Sequence, residues 1–249
     1  MRNIKAVFTK QILSYFRNIG MLGTPIAFLL IPFAIFLLTD PADDRGFILS
    51  QFVVMFIGIS MIGTAAGFIS EDRETMNLRF MGMAGVRPYQ YLIATCVALL
   101  IISFFALILF AILGQYSGEI LINFFAVSML GAACSMLLGI TLGLSKFAPF
   151  ASLIGIILGV GPMFSQANEA LANIFRFTFT QQITEALRGD MIIDVDTERV
   201  SWPLYGNLDS DLTSTFQILL INLAVILVAF LVFNIRVGLD GERIVKKTA

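Results

Sequence analysis

The sequence predicts an all-α integral membrane protein with six transmembrane helices, and three observations lead there. Of its 249 residues, 58% are hydrophobic and only 13% are charged, where a soluble domain carries about a quarter charged residues. The apolar residues gather into runs close to the ~20 residues that cross a bilayer's hydrocarbon core. The charges gather between those runs, outside the lipid that would penalise them. A single transmembrane domain over residues 1–249 is expected. Its extras are an N-terminal interfacial helix, a short cytoplasmic helix between spans 2 and 3, and short outer-leaflet helices before span 6.

In residues 2–18, Ile4, Val7, Phe8, Ile12, Tyr15 and Phe16 fall on one side at helical spacing, with Arg2, Lys10 and Arg17 largely opposite. Lys5 and Leu13 break the pattern. Residues 1–18 therefore read as an amphipathic helix in the cytoplasmic interface, the alternative being an ordinary basic flank. A cleaved signal peptide is disfavoured, because the following apolar core ends in TDPADD without a small-residue cleavage site. The spans then cover about 19–38, 47–69, 89–113, 120–144, 150–164 and 212–233. Pro25 is expected in the first turn of span 1, and Pro32 should kink it. Span 5 is short. Its crossing needs completion by the adjoining chain, and residues 165–211 offer two short helical patterns, one with Ala167, Ala170, Leu171 and Ile174, the other with Ile183, Ala186 and Leu187. Trp202 and Tyr205 are placed as interfacial anchors in the acidic loop beyond.

Lysine and arginine set the orientation. With the N-terminus inside, the N-terminal helix holds four, residues 70–88 three, Lys146 one and the tail four, which is twelve of the sixteen. Twelve of the seventeen acids lie on the other side. The positive-inside rule then puts both termini and residues 70–88 in the cytoplasm.

Absences narrow the chemistry. There is no histidine, which removes Ser-His and Cys-His nucleophile pairs, His-ligated metal and a histidine proton relay. There is no Gly-rich phosphate loop ending in Lys-Ser or Lys-Thr. Cys96 and Cys134 sit in apolar runs and read as buried thiols. The spans carry mild polar groups such as Gln51, Thr64, Asn123, Gln217 and Asn222, while the ionisable groups fall in loops, termini and the outer segment. Ion-coupled transport is therefore disfavoured, although backbone carbonyls can bind Na⁺. A translocating protein of this kind needs power from outside the membrane. Gly131, Ser135, Gly139 and Gly143 recur every four residues in span 4, and Gly63/Gly67 and Gly155/Gly159 repeat the spacing. Such stripes serve internal bundle packing, a dimer seam or a moving surface.

The substantial charged interruption is Ser70–Pro88, SEDRETMNLRFMGMAGVRP. Ser70 is expected as an N-cap, with Glu71, Asp72 and Glu74 in the first turn of a short helix and Met76, Leu78, Phe80, Met81 and Met83 adding apolar surface. A charged loop that merely orients the protein is the alternative. The run EDRETMNLRFMGMAGVRPYQYLIAT resembles the second cytoplasmic segment of ABC-2 type transporter permeases, membrane subunits of bacterial ABC exporters. The basic N-terminal helix, six spans, paired helical segments before span 6 and cytoplasmic termini agree over nearly the whole chain. The chain departs where many members carry Glu-x-Gly-Thr and it has Glu74-Thr75-Met76.

The resemblance implies a six-span exporter subunit paired with a second permease copy or paralogue and driven by separate ABC ATPase subunits. ATP and Mg would be bound by those subunits, with no cofactor and no enzymatic activity in this chain. Residues 70–88 would be the coupling segment, with Glu71, Asp72, Arg73, Glu74, Met76 and Leu78 taking the contact and the N-terminal helix contributing. The substrate would be a drug, antimicrobial peptide, lipid or glycolipid. Membrane lipids are further partners and nucleic acid is not expected. The competing readings are an ion-coupled secondary carrier or substrate-binding membrane subunit, a non-transporting assembly or regulatory protein, and, last, an intramembrane enzyme.

Overall fold

The computed structural model describes residues 2–38, 45–145, 147–165, 169–191 and 212–237, and the regular structure within them is helical. Among the described residues, six helices are long and apolar enough to cross a membrane. The molecule is a multi-pass all-α membrane protein. In chain order the helices are α1 (Arg2–Arg17), α2 (Ile19–Leu38), α3 (Arg45–Met55), a π-helical turn (Phe56–Met61), α4 (Ile62–Glu74), α5 (Asn77–Met83), α6 (Pro88–Gly114), α7 (Gly118–Leu144), α8 (Ala151–Ser165), α9 (Glu169–Phe175), α10 (Phe179–Met191) and α11 (Leu212–Val237). The second span is the continuous run of α3, the π-helical turn and α4. Asp40, Asp43, Asp44, Lys146, Ala167, Arg199, Trp202, Tyr205 and the tail after Val237 lie outside the described residues.

The second span is the central element. Of its apolar stretch 72% is buried, against 11% for α2 and 17% for α11. Phe56 and Phe68, both fully buried, meet Phe110 of α6 and Tyr15 of α1, with ring centroids 5.7 and 6.2 Å apart. Close packing against α7 comes from glycine. A methyl on Gly139 would stand 2.6 Å from the Ile62 carbonyl oxygen and 2.7 Å from Ala65 Cβ; one on Gly143 would stand 2.8 Å from the Ala66 oxygen. The stripe therefore lets α7 touch the α4 backbone. Gly131 continues it toward Ile183 of α10, and buried Ser135 lies between them in sequence. Gly155 and Gly159 do the same for α8 against Gly58 and Ile59. Gly63 has nothing within 4 Å of its would-be Cβ, so that half of the Gly63/Gly67 pair is no seam within this chain.

Four local expectations are corrected. Pro25 lies beyond the first turn of α2, and it and Pro32 are both buried. Seven residues apart, they share a helix face that is turned into the protein. On α1, the buried residues are Val7, Gln11 and Tyr15, whereas Phe16 is exposed. That helix therefore packs along the start of α6 instead of laying its whole apolar side in lipid. The helix of the second span does not stop near Ile69, with a new one starting at Ser70, but continues to Glu74. Finally, α10 is more than a surface amphipathic helix, because residues 179–184 are consecutively buried among α3, α7, α8 and α11. It enters the bundle because its polar groups are answered: Ser165 Oγ donates to Gln181 Oε1 at 2.7 Å, Gln181 Nε2 to Glu185 Oε1 at 2.9 Å, and Gln182 Nε2 to the Arg176 carbonyl at 2.7 Å.

These contacts separate two glycines that look alike in sequence. Gly139→Ala should destabilise the protein by about 1–3 kcal/mol, because backbone and not a flexible side chain blocks the methyl. Gly63→Ala should be neutral or stabilising by up to about 1 kcal/mol, from helix propensity alone. Unfolding titrations in mixed micelles measure both.

Candidate functional site

The site grows from the end of the second span. Ser70 is interior to α4, and its hydroxyl donates to Glu74 Oε1 at 3.1 Å instead of capping a new helix. A helix already running through Ser70 leaves no free N–H groups there for an N-cap to accept. The four charged residues Glu71, Asp72, Arg73 and Glu74 consequently occupy the last turn of a long helix, not the first turn of a short one. The break comes at Met76, in the left-handed region at φ 57°. After it, α5 runs for seven residues with no buried side chain. Gly85 at φ 78° then turns the chain toward Pro88, the first residue of α6, where proline's missing N–H costs nothing.

Successive residues on one helical turn point in different directions, and that divides the cluster. Asp72 faces inward and is 3% exposed. Its carboxylate accepts from Tyr91 OH at 2.8 Å, Gln11 Nε2 at 3.0 Å and Asn77 Nδ2 at 3.2 Å, and pairs with Lys10 Nζ. Gln11 Nε2 also lies 3.4 Å from Thr95 Oγ1. A buried carboxylate is tolerated only when its charge is paired and its lone pairs are filled, and here α1, α5 and α6 each contribute a donor. Arg73 points elsewhere: its Nη1 donates to the Gly143 and Ser145 carbonyls at 2.9 and 3.1 Å, satisfying the open C-terminus of α7. Glu71 Oε2 accepts from Asn18 Nδ2 at 3.3 Å, and the Asn18 oxygen caps α2 through the N–H groups of Gly20 and Met21.

Helix α1 and Asn18, which follows it, thus grip the 70–88 segment along its length. Asn3 Nδ2 holds the Gly85 carbonyl at 3.3 Å, Lys10 and Gln11 hold Asp72, and Asn18 holds Glu71. The exposed side chains of the segment include Glu71, Glu74, Met76, Arg79, Phe80 and Met83, while Leu78 and Met81 pack partly against the core. Of the six residues singled out from sequence, Asp72 is buried, Arg73 is exposed but hydrogen-bonded to the end of α7, Glu71, Glu74 and Met76 are exposed, and Leu78 is partly buried. Lys10, Gln11, Asn77, Tyr91 and Thr95 were not singled out. One signal was available: Gln11 sits between Val7 and Tyr15 at four-residue intervals, a polar residue in an apolar stripe.

Among the described residues no cluster of His, Cys, Asp or Glu is arranged to hold a metal ion. Comparison with family models, curated proteins and solved structures returned no match.

Three substitutions test the site. Asp72→Ala strands the Gln11 and Tyr91 donors in the interior and should lower unfolding stability by about 3 kcal/mol, the low end for a broken buried pair because Lys10 reaches water. Glu74→Ala, on the exposed side, should change it by less than about 0.5 kcal/mol. Burial also pushes the Tyr15 phenol of α1 up to about 12 from the ordinary 10.0. Between those values the folded chain keeps a proton that the unfolded chain releases, so stability must fall as pH rises through that window. Tyr15→Phe should show a shallower alkaline fall in a pH series of unfolding curves.

Proposed function

We propose that the chain is the membrane-spanning permease subunit of an ATP-driven exporter, of the ABC-2 type that its 71–95 region resembles. Its substrate class is amphipathic or hydrophobic molecules, with the translocation path formed together with a second permease subunit. The chain itself is not an enzyme. A separate ATPase subunit, holding ATP and Mg, supplies the work and docks on the 70–88 segment at the cytoplasmic side of the plasma membrane, where both termini also lie.

One observation carries the reading. The 70–88 segment combines a firm inner attachment with an outer surface left exposed among the described residues. Asp72 and Arg73 fasten it to α1, α6 and α7, while Met76, Arg79, Phe80 and Met83 are left exposed outside the last turn of the second span. Force applied to α5 would reach three other helices through hydrogen bonds only a few ångströms long. This sharpens the roles within the cluster. Asp72 is too buried to touch a partner and acts as an anchor, Arg73 transmits to α7, and the contact itself falls to Glu71, Glu74 and the α5 apolar side chains. The distribution of charge along the spans agrees with external power. The buried carboxylate at the end of the second span is already paired with Lys10, so it offers no vacant acidic site for a driving ion.

The reading is tested in proteoliposomes. The purified chain alone should hydrolyse no ATP, and transport should require both ATP and a nucleotide-binding partner. Glu71→Lys/Glu74→Lys should uncouple hydrolysis from transport, lowering transport at least about tenfold while the protein remains folded, since both side chains lie outside the core. Substrate movement that follows an ion gradient without ATP contradicts the proposal, as does normal transport by the double variant.

A further inference from the structure

The second span is interrupted in its middle by the π-helical turn Phe56–Met61. A π turn accommodates an extra residue within an α-helix and widens the hydrogen-bond ladder locally, from i→i+4 to i→i+5. In a soluble protein water can compensate. Here Phe56, Ile57, Gly58, Ser60 and Met61 are all buried, at a depth where helices otherwise satisfy their own backbones. The Ser60 hydroxyl, 1% exposed, has no hydrogen-bond partner.

The element facing this turn is interrupted too. Helix α8 contains Pro162, whose missing N–H deprives the Leu158 carbonyl of its α-helical donor. The two weak points are in register. A methyl on Gly58 would stand 2.6 Å from Gly159 Cα and 3.3 Å from the Leu158 carbonyl carbon, and one on Gly155 would stand 3.0 Å from the Gly58 oxygen. A widened ladder and a proline-interrupted one therefore meet backbone to backbone at Gly58 and Gly159, with the Ile59 side chain laid against Gly159. The halves on either side differ in their main partners, α3 packing on α10 and α4 on α7, while α8 lies against both halves and the turn between them.

We propose that the π-helical turn is a flexing joint in the second span, at which the half bearing Asp72 and Arg73 tilts relative to the half packed on α10, sliding over the Gly155/Gly159 surface of α8. Bending elsewhere along the span requires breaking intact α-helical bonds in a low-dielectric interior, whereas here the ladder is already widened and the opposing residues of α8 are glycines. The joint is a property of the chain itself and does not depend on which partner drives it.

Amide hydrogen exchange of the full chain in lipid nanodiscs tests this without any transport assay. Amides of residues 56–62 should exchange at least about tenfold faster than those of residues 98–110 in the middle of α6, an apolar helix with no such interruption. Deleting Ile59 removes one residue from the turn and should restore an uninterrupted α-helix with both flanks facing as before, bringing exchange at 56–62 down to the α6 level. Equal exchange of the two stretches in the unaltered chain overturns the proposal. So does fast exchange that persists in a folded Ile59 deletion. Should the deletion fail to fold, the comparison within the unaltered chain still decides.

Discussion

A carboxylate sealed from water beside a lipid bilayer is stable only while cationic and hydrogen-bonding partners surround it, and the arrangement of this protein's helices around Asp72 meets that requirement. The partners come from far along the chain: Lys10 and Gln11 from α1, Asn77 from α5 and Tyr91 from α6. None of these helices can move away alone without leaving a buried polar group unanswered, at a cost of several kcal/mol. The position of α1 is set by this, because Gln11 must reach inward and so turns Val7 and Tyr15 inward with it. The path of the 70–88 segment is set as well, because Asn77 closes on Asp72 across the break at Met76. Arg73 extends the same fixation to the end of α7, and hence to the short connection leading into α8.

Above this anchor the bundle is held by shape. The second span runs through the centre, and α7 and α8 approach it with glycines where its backbone is nearest. Apolar attraction alone does little to bring helices together in lipid, so close backbone approach and interhelical hydrogen bonds carry the association. The two kinds of contact are segregated. Hydrogen bonds concentrate at the Asp72 end and around the first turns of α10, with the glycine surfaces between them. That distribution makes the ends specific and the middle smooth.

Much of this architecture was legible in the sequence. The six apolar runs predicted the spans closely, since length and hydropathy alone decide whether a helix can cross a bilayer. The second span's true end was not legible. Hydropathy falls at Glu71, but a helix stops where its backbone must turn, and the left-handed Met76 gives no strong sequence sign because glycine is the residue that ordinarily marks such a turn. Ser70 looked like an N-cap because serine before acids is how many helices begin, yet here it lies within a helix that had not ended. The buried face of α1 was half legible: Val7 and Tyr15 were placed together, but Phe16 was grouped with them and Gln11 was passed over. Which of four adjacent charges points inward depends on tertiary contacts with Lys10 and Tyr91, separated from them by up to about sixty residues of chain, and no local pattern encodes that. The polar interior of α10 was hidden for the same reason, since Thr180, Gln181 and Gln182 look like surface residues until their partners on neighbouring elements are known.

The central claim is that α1 and the end of the second span are fastened to each other through Asp72. A double-mutant cycle measures that fastening directly, using Lys10→Met, Asp72→Asn and the combined variant, with unfolding free energy in mixed micelles as the readout. If the pair is coupled, the combined variant should be less destabilised than the sum of the single variants by about 1.5 kcal/mol or more. Effects that add to within about 0.5 kcal/mol would show the two groups to be energetically independent, and the account of the site built on their pairing would then be wrong.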